Sequence, residues 1–325
     1  MLFRSLLAPR TGDVVFEGRR IADLDPRARV RLGIAHVPEG RQMFPGLTVA
    51  ENLRLGADYK PAQPATRFAF RAPEGRGFTR ALERCVGMGK CRAASGGTMC
   101  PSYRATGEER NSTRGRARLL QEMLRGEVIT DAWKSDAVRE ALDLCFACKG
   151  CKSDCPTHTD LASYKAEFLS HYYEGKARPR QALSMGRIQQ WAALAERAPR
   201  VANFFTQTPL LNALAKKLAG VAPQRSMPAF ATQTFRQWFE SRAPTHQEQR
   251  GGDRVILWAD TFSNHFNPTV AMAAVEVLEA AGCAVVIPQR GLCCGRPLYD
   301  FGLLDRARQQ LADILGALKR SEEHT

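Results

Sequence analysis

The sequence predicts a mostly helical α+β chain in three unlike parts. A β-rich N-terminal segment comes first. A helical domain built around two blocks of cysteines follows, and then a partial α/β module. Three observations carry this reading. Seven cysteines fall into two blocks, each ending in Cys-Pro, at Cys100-Pro101 and Cys155-Pro156. Apolar residues at helical spacing surround both blocks. After Gly251-Gly252 the pattern changes to strand, helix, strand.

Taken in order, Thr11 to Gly18 alternates apolar and polar residues around Gly and reads as a hairpin. Asp25-Pro26 opens a short helix over 27–31, with Pro in its first turn. A buried strand is expected over 33–37. A helix is expected from Thr48, where Glu51 completes a capping box. This first part spans 1–57, and a Pro-rich junction covers 58–79. The cysteine domain takes 80–180, with helices over 112–124, 136–144 and 161–173. Amphipathic helices broken by prolines fill 181–250. In the last module, 251–319, strands at 255–259 and 284–288 flank a helix over 268–281 that Gly282 closes. That order implies a parallel pair with a crossover.

The chemistry lies in the cysteines. Cys145, Cys148, Cys151 and Cys155-Pro156 form the run C-x2-C-x2-C-x3-C-P. That run is a thiolate cage for a 4Fe–4S cluster, and its fourth Cys ligates a different cluster from the first three. Structural zinc sites use paired C-x2-C halves instead of a run of three. In the first block, Cys85 and Cys91 take the first and third positions of the same run. Met88 stands where the middle cysteine would be, and an insert over 92–99 displaces Cys100-Pro101. Crossing over the Cys-Pro thiolates gives one complete set, Cys145, Cys148, Cys151 and Cys100. The other set, Cys85, Cys91 and Cys155, has three thiolates. It would hold a 3Fe–4S cluster, or a 4Fe–4S cluster with one iron bound by another group. The alternative is a single cluster with a structural first block. Ten cysteines without a secretion signal point to reduced thiols in the cytoplasm.

Composition excludes some functions. No apolar stretch reaches the about eighteen residues of a transmembrane helix. The net charge of +14 is spread along the chain without a nucleic-acid recognition motif. It fits a basic face toward an acidic partner, or peripheral contact with an anionic membrane at its cytoplasmic face.

Three resemblances follow. The stretch "SLLAPRTGDVVFEGRRIADLDPRARVRLGIAHVPEGRQMFPGLTVAENLRLGA" resembles part of the ATP-binding subunits of branched-chain amino-acid ABC transporters. The phosphate loop G-x-x-x-x-G-K-[ST] is missing from all 325 residues, so no ATP hydrolysis is expected. Gly291-Leu292-Cys293-Cys294-Gly295 after a strand resembles the cysteine-rich "CCG" module of heterodisulfide reductases and glycolate oxidase iron–sulfur subunits. Cys293 and Cys294 are then metal or redox candidates, against a plain buried pair. Finally, "RCVGMGKCR", "GGTMCPSYRATGEERNSTRGRARLL", "ALDLCFACKGCKSDCP" and "GLCCGRPLYDFG" resemble the C-terminal iron–sulfur region of FAD-linked dehydrogenases of D-lactate or D-2-hydroxyglutarate, over about 66–319. That resemblance implies a two-cluster ferredoxin-like domain relaying electrons from FAD, held by a partner domain or subunit, to an acceptor. It implies no catalytic residue in this chain. An iron–sulfur subunit of a glycolate-oxidase-like or heterodisulfide-reductase-like complex is the alternative. His158 would tune a cluster or sit in solvent. Residues 320–325 match a translated sequencing adapter, so an end at Lys319 is expected, and because neither end keeps a complete domain a join of two unrelated fragments near 57–66 is expected over the alternative of a natural fusion.

Overall fold

The computed structural model describes residues 13, 15–21, 24, 28, 32, 64–70, 77–243 and 253–322, and of 320–322 only the backbone. The chain divides into two units, Met1–Pro61 and Ala62–Thr325.

In the first unit, β1 (Val15–Phe16) pairs antiparallel with β2 (Arg19–Arg20), Val15 opposite Arg20. Glu17 (φ 49°) and Gly18 (φ 77°) make the two-residue turn between them. Positive φ at both positions matches strand twist. The expected hairpin therefore exists, centred on Glu17-Gly18 instead of ending there. The helix expected over 27–31 is described only at Ala28, in helical conformation. The strand over 33–37 and the helix from Thr48 lie outside the described residues.

The second unit is mostly helical. Its cysteine region runs through α1 (Gly77–Glu83), α2 (Pro101–Thr106), α3 (Thr113–Arg125), α4 (Asp136–Asp143), α5 (Gly150–Asp154) and α6 (Leu161–Tyr172). Local chemistry sets the ends. Ser112, Ser135 and Asp160 accept from backbone N–H groups one turn in, and Gly126 closes α3 in left-handed conformation. The apolar faces meet in one core containing Phe78, Leu82, Leu120, Val138, Leu142 and Phe168. Cys91, Cys100 and Cys151 belong to the same core, so the thiols sit inside the packing rather than on a rim. Burying each large side chain is worth about 1.5–3 kcal/mol.

The described part of the expected junction is packed against this core. Glu167, fully buried, accepts from Arg67 N (2.7 Å) and Phe68 N (2.9 Å). Phe70 stacks near Phe78, ring centres 5.0 Å apart.

Helices α7 (Arg180–Ser184), α8 (Ile188–Ala195), α9 (Pro199–Gln207), α10 (Pro209–Ala219) and α11 (Phe235–Ser241) follow, with Pro199 and Pro209 each opening a helix. The last module pairs β3 (Arg254–Ile256) parallel to β4 (Ala284–Val286), with α12 (Thr261–His265) and α13 (Pro268–Ala280) between them. Both strands are shorter than expected. Leu257 adds one further bond, to Val286 O (2.8 Å), and Pro288 has no N–H to extend the ladder. Helices α14 (Arg296–Asp300) and α15 (Leu304–Glu322) end the module. It docks on the cysteine region. Arg296 donates to Ala147 O, Tyr299 OH to Ser163 Oγ (2.8 Å), and Arg67 pairs with Asp305. Among the described residues no helix is long and apolar enough to cross a membrane.

Candidate iron–sulfur sites

Helix α4 ends by turning Cys145 N–H onto Leu142 O (3.0 Å). The chain then winds through Ala147 (φ 49°) and Lys149 (φ 60°), both left-handed, into α5. This tight path brings Cys145, Cys148 and Cys151 around one cavity. Cys100, at the N-terminus of α2, lines it too, along with Arg116, Thr113, Ala147 and Leu161. These are the four cysteines that crossing over puts together. Cys155 is not among them.

Cys100 reaches this cavity because the insert is folded back onto α5. The Asp154 carboxylate accepts from Thr98 N, Thr98 Oγ1 (2.9 Å) and Met99 N (3.1 Å). These bonds hold its pKa below the usual carboxylate range. The approach needs glycine on both sides. A Cβ at Gly97, itself at φ 63°, would lie 2.7 Å from Asp154 Oδ2, and one at Gly150 would lie 2.7 Å from Thr98 Oγ1. Asp154 carries no motif of its own, and its position before Cys155-Pro156 was the only available signal.

Charge at the cavity is unusual. Arg116 is 0% exposed. Its Nε donates to Ala141 O (2.6 Å) and its Nη1 to Cys100 Sγ (3.5 Å), while Nη2 has no partner among the described residues. Burial pushes the Cys151 thiol up to about 12 and also raises Cys145. Cys100 differs. Burial raises it, but the Ser102 hydroxyl and the Arg116 guanidinium, with other bonds, more than offset that and hold it below the usual thiol value. Four thiols and an unpartnered buried guanidinium nitrogen fit an anionic cluster with acceptor sulfurs. Among the described residues no three His, Cys, Asp or Glu groups converge closely enough for a single metal ion.

The other three cysteines of the two blocks are Cys85, Cys91 and Cys155, and Cys91 also has Cys100 as an electrostatic neighbour. The electrostatic neighbours of Cys85 include Cys91 and Cys155. Burial raises the thiols of Cys85 and Cys91. Cys91 Sγ accepts from Arg114 N (3.4 Å). Cys155 Sγ meets Thr157 Oγ1 (3.2 Å) and Thr159 Oγ1 (3.6 Å). Although burial raises it, hydrogen bonds from Thr157 and Thr159 hold Cys155 below its ordinary value. Met88 stands 65% exposed between Gly87 (φ 79°) and Gly89 (φ 77°). The guanidinium groups here, Arg92 and Arg114, are partly exposed and share one carboxylate, Glu109.

Cys293 is buried and lines a separate cavity of about 440 Å³ with Arg187 and Gln310, whereas Cys294 is exposed. Cys283 is half-buried. His158 is placed in a loop, its Nδ1 2.9 Å from Lys152 O.

Residues 81–159 match the family described as "4Fe-4S dicluster domain". Known proteins similar to the chain include D-2-hydroxyglutarate dehydrogenase of Escherichia coli (strain K12), 26% identical over 88% of this chain and 31% of that protein. The glycolate oxidase iron-sulfur subunit of the same organism is 25% identical over 71% of this chain and 51% of its own length. A subunit of the anaerobic glycerol-3-phosphate dehydrogenase of that strain is 33% identical over 27% of this chain and 22% of its own length. The chain thus spans about a third of the first of these relatives. No solved structure matches it. The 4Fe–4S cluster expected from the cysteine runs is the cofactor for which the matching family is described.

Proposed function

We propose that this chain is the electron-relay part of a flavin-linked 2-hydroxy-acid dehydrogenase. One cluster is held by Cys100, Cys145, Cys148 and Cys151, and a second by Cys85, Cys91 and Cys155. The observation that carries the reading is the single cavity lined by the first four cysteines. When bound, iron–sulfur clusters supply one-electron transfer. The residues of the chain do the rest. The left-handed turns at Ala147 and Lys149 aim the thiols, Asp154 delivers Cys100, and the packed core buries Cys100 and Cys151 while Cys148 stays exposed and Cys145 partly so. Electrons would enter from a flavin on a partner domain or subunit. The docked module with Cys293 and Cys294, residues 251–319, would offer the exit, a reading supported by the bond of Arg296, two residues beyond Cys294, to the cluster loop. The substrate class, a D-2-hydroxy acid, rests on the dehydrogenase relatives. A separate iron–sulfur subunit is favoured by the longer share of the glycolate oxidase subunit that the chain covers.

The test is anaerobic reconstitution of the full chain with iron and sulfide. Wild type should bind both and show a reduced-cluster EPR signal. Cys148→Ser should abolish that signal at the first site. A wild type without iron, or an unchanged signal in the variant, refutes the assignment.

A further inference from the structure

We infer that Arg116 is a built-in counter-charge for the cluster at Cys100, Cys145, Cys148 and Cys151, donating its free Nη2–H groups to the sulfur of that cluster and raising its reduction potential. The inference rests on the cluster reading above.

A guanidinium stays charged at any pH a folded protein meets. Burying it is costly unless an anion and hydrogen-bond acceptors answer it. Arg116 is completely buried, yet among the described residues its guanidinium is answered by one backbone carbonyl and one thiol sulfur. Among the same residues its Nη2 has no hydrogen-bond partner. The same side chain lines the cavity of the four cysteines. The arginines beside the second group are placed differently, since Arg92 and Arg114 share Glu109. The arrangement is incomplete without an anion in the cavity, and a thiolate-ligated cluster is one.

Reduction adds one electron to the cluster, supplied by the titrant in vitro, and no proton moves because the guanidinium is already charged. A fixed positive charge in contact therefore favours the reduced form. Hydrogen bonds to cluster sulfur and local charge are established determinants of such potentials. Arg92 and Arg114 beside the second group are partly exposed and share one carboxylate, so solvent and Glu109 screen them and the bias there is weaker. The Arg116 cluster is then the electron sink of the pair, and electrons run toward it.

The test is a redox titration of the reconstituted full chain, followed by EPR, for wild type, Arg116→Gln and Arg116→Lys. Arg116→Gln should change the oxidised-to-reduced ratio at fixed potential by at least tenfold toward oxidised, about 59 mV for a one-electron couple. Arg116→Lys, which keeps the charge and loses the planar fork, should lose less than half of that shift. A purely structural role would leave the potential of any loaded variant unchanged. Apoprotein stability gives an independent arm. Arg116→Met should unfold at higher urea than wild type when both lack iron, and at lower urea when both are loaded. Loaded Arg116→Gln at the wild-type potential overturns the inference alone. So does an Arg116→Met apoprotein less stable than wild-type apoprotein, which would mean the protein itself satisfies the guanidinium. This arm decides the matter if Arg116→Gln fails to load. A wild type that takes up no iron fails the cluster reading, and this inference with it.

Discussion

Replacing Glu167 with alanine should release residues 66–70 from the cysteine region. Its buried carboxylate accepts from two consecutive backbone N–H groups, Arg67 and Phe68, and from His171 Nε2 at 2.8 Å. A hydrogen bond to a charged acceptor contributes about 1.5–3 kcal/mol, so the two backbone bonds together contribute about 3–6 kcal/mol. Whole-domain stabilities are only about 5–15 kcal/mol, so this is a large share. With a urea slope of about 3 kcal/mol/M, the midpoint should fall by about 1–2 M. Glu167→Gln keeps one acceptor oxygen and should lose about half as much. The assay is urea unfolding of the iron-free full chain by circular dichroism, with trypsin cleavage at Arg67 as a local probe. An unchanged midpoint together with unchanged cleavage at Arg67 would refute the reasoning, because those bonds would then hold nothing.

Three other outcomes are expected. Air-oxidised reconstituted protein should give the EPR line of a three-iron cluster from the Cys85, Cys91 and Cys155 site, and Met88→Cys should remove it by filling the open corner; one cluster's worth of iron with no change on substitution would mean the first block is structural. Asp154→Ala should free Thr98 and Met99, so that iron at the first site falls, and Gly97→Ala should do the same through its 2.7 Å clash and φ of 63°; full iron in both would show that Cys100 finds the cavity unaided. Iron uptake should strengthen as pH rises, because Cys151, pushed up to about 12, and Cys145, Cys85 and Cys91, also raised, are protonated near neutrality and lose protons on ligation. The slope should approach about tenfold per pH unit for each thiol that ionises, and iron analysis after equilibration between pH ~6.5 and ~8.5 that shows a flat profile would contradict it.

What could be read from the sequence was local or countable. The run of Cys145, Cys148, Cys151 and Cys155 declares its chemistry by spacing, and the helices expected over 112–124, 136–144 and 161–173 are present, starting at Thr113, Asp136 and Leu161. The grouping of Cys100 with the second block came from crossing over the two Cys-Pro thiolates. What escaped were contacts between distant residues that follow no period. Asp154 bonds residues 55 and 56 positions earlier, Glu167 bonds ones 99 and 100 earlier, and Arg116 meets a carbonyl 25 positions later. The Pro-rich composition of 58–79 hid the anchoring of 66–70 for the same reason. Strand lengths at 254 and 284 were overestimated because apolar composition continues beyond the reach of a two-stranded ladder.

The bond from Arg296 to the Ala147 carbonyl spans 149 residues. All four cysteines of the first cavity are therefore made well before the residue that fastens their loop. At roughly 5–20 residues per second, the delay during synthesis is about 7 to 30 s. Through that interval the Cys145–Cys151 loop is held by the cysteine region alone, through Lys165 on Cys145 O (2.6 Å) and Asp160 on Lys149 (3.2 Å), and afterwards the last module clasps it from outside. Timing thus enters the design: the chain offers its thiols early and locks the loop late. A cluster delivered to the nascent chain meets a loose loop, whereas the finished apoprotein must first unlatch. Arg296→Ala should accordingly speed iron uptake by the folded apoprotein, and equal rates in the two proteins would show that the clasp does not gate entry.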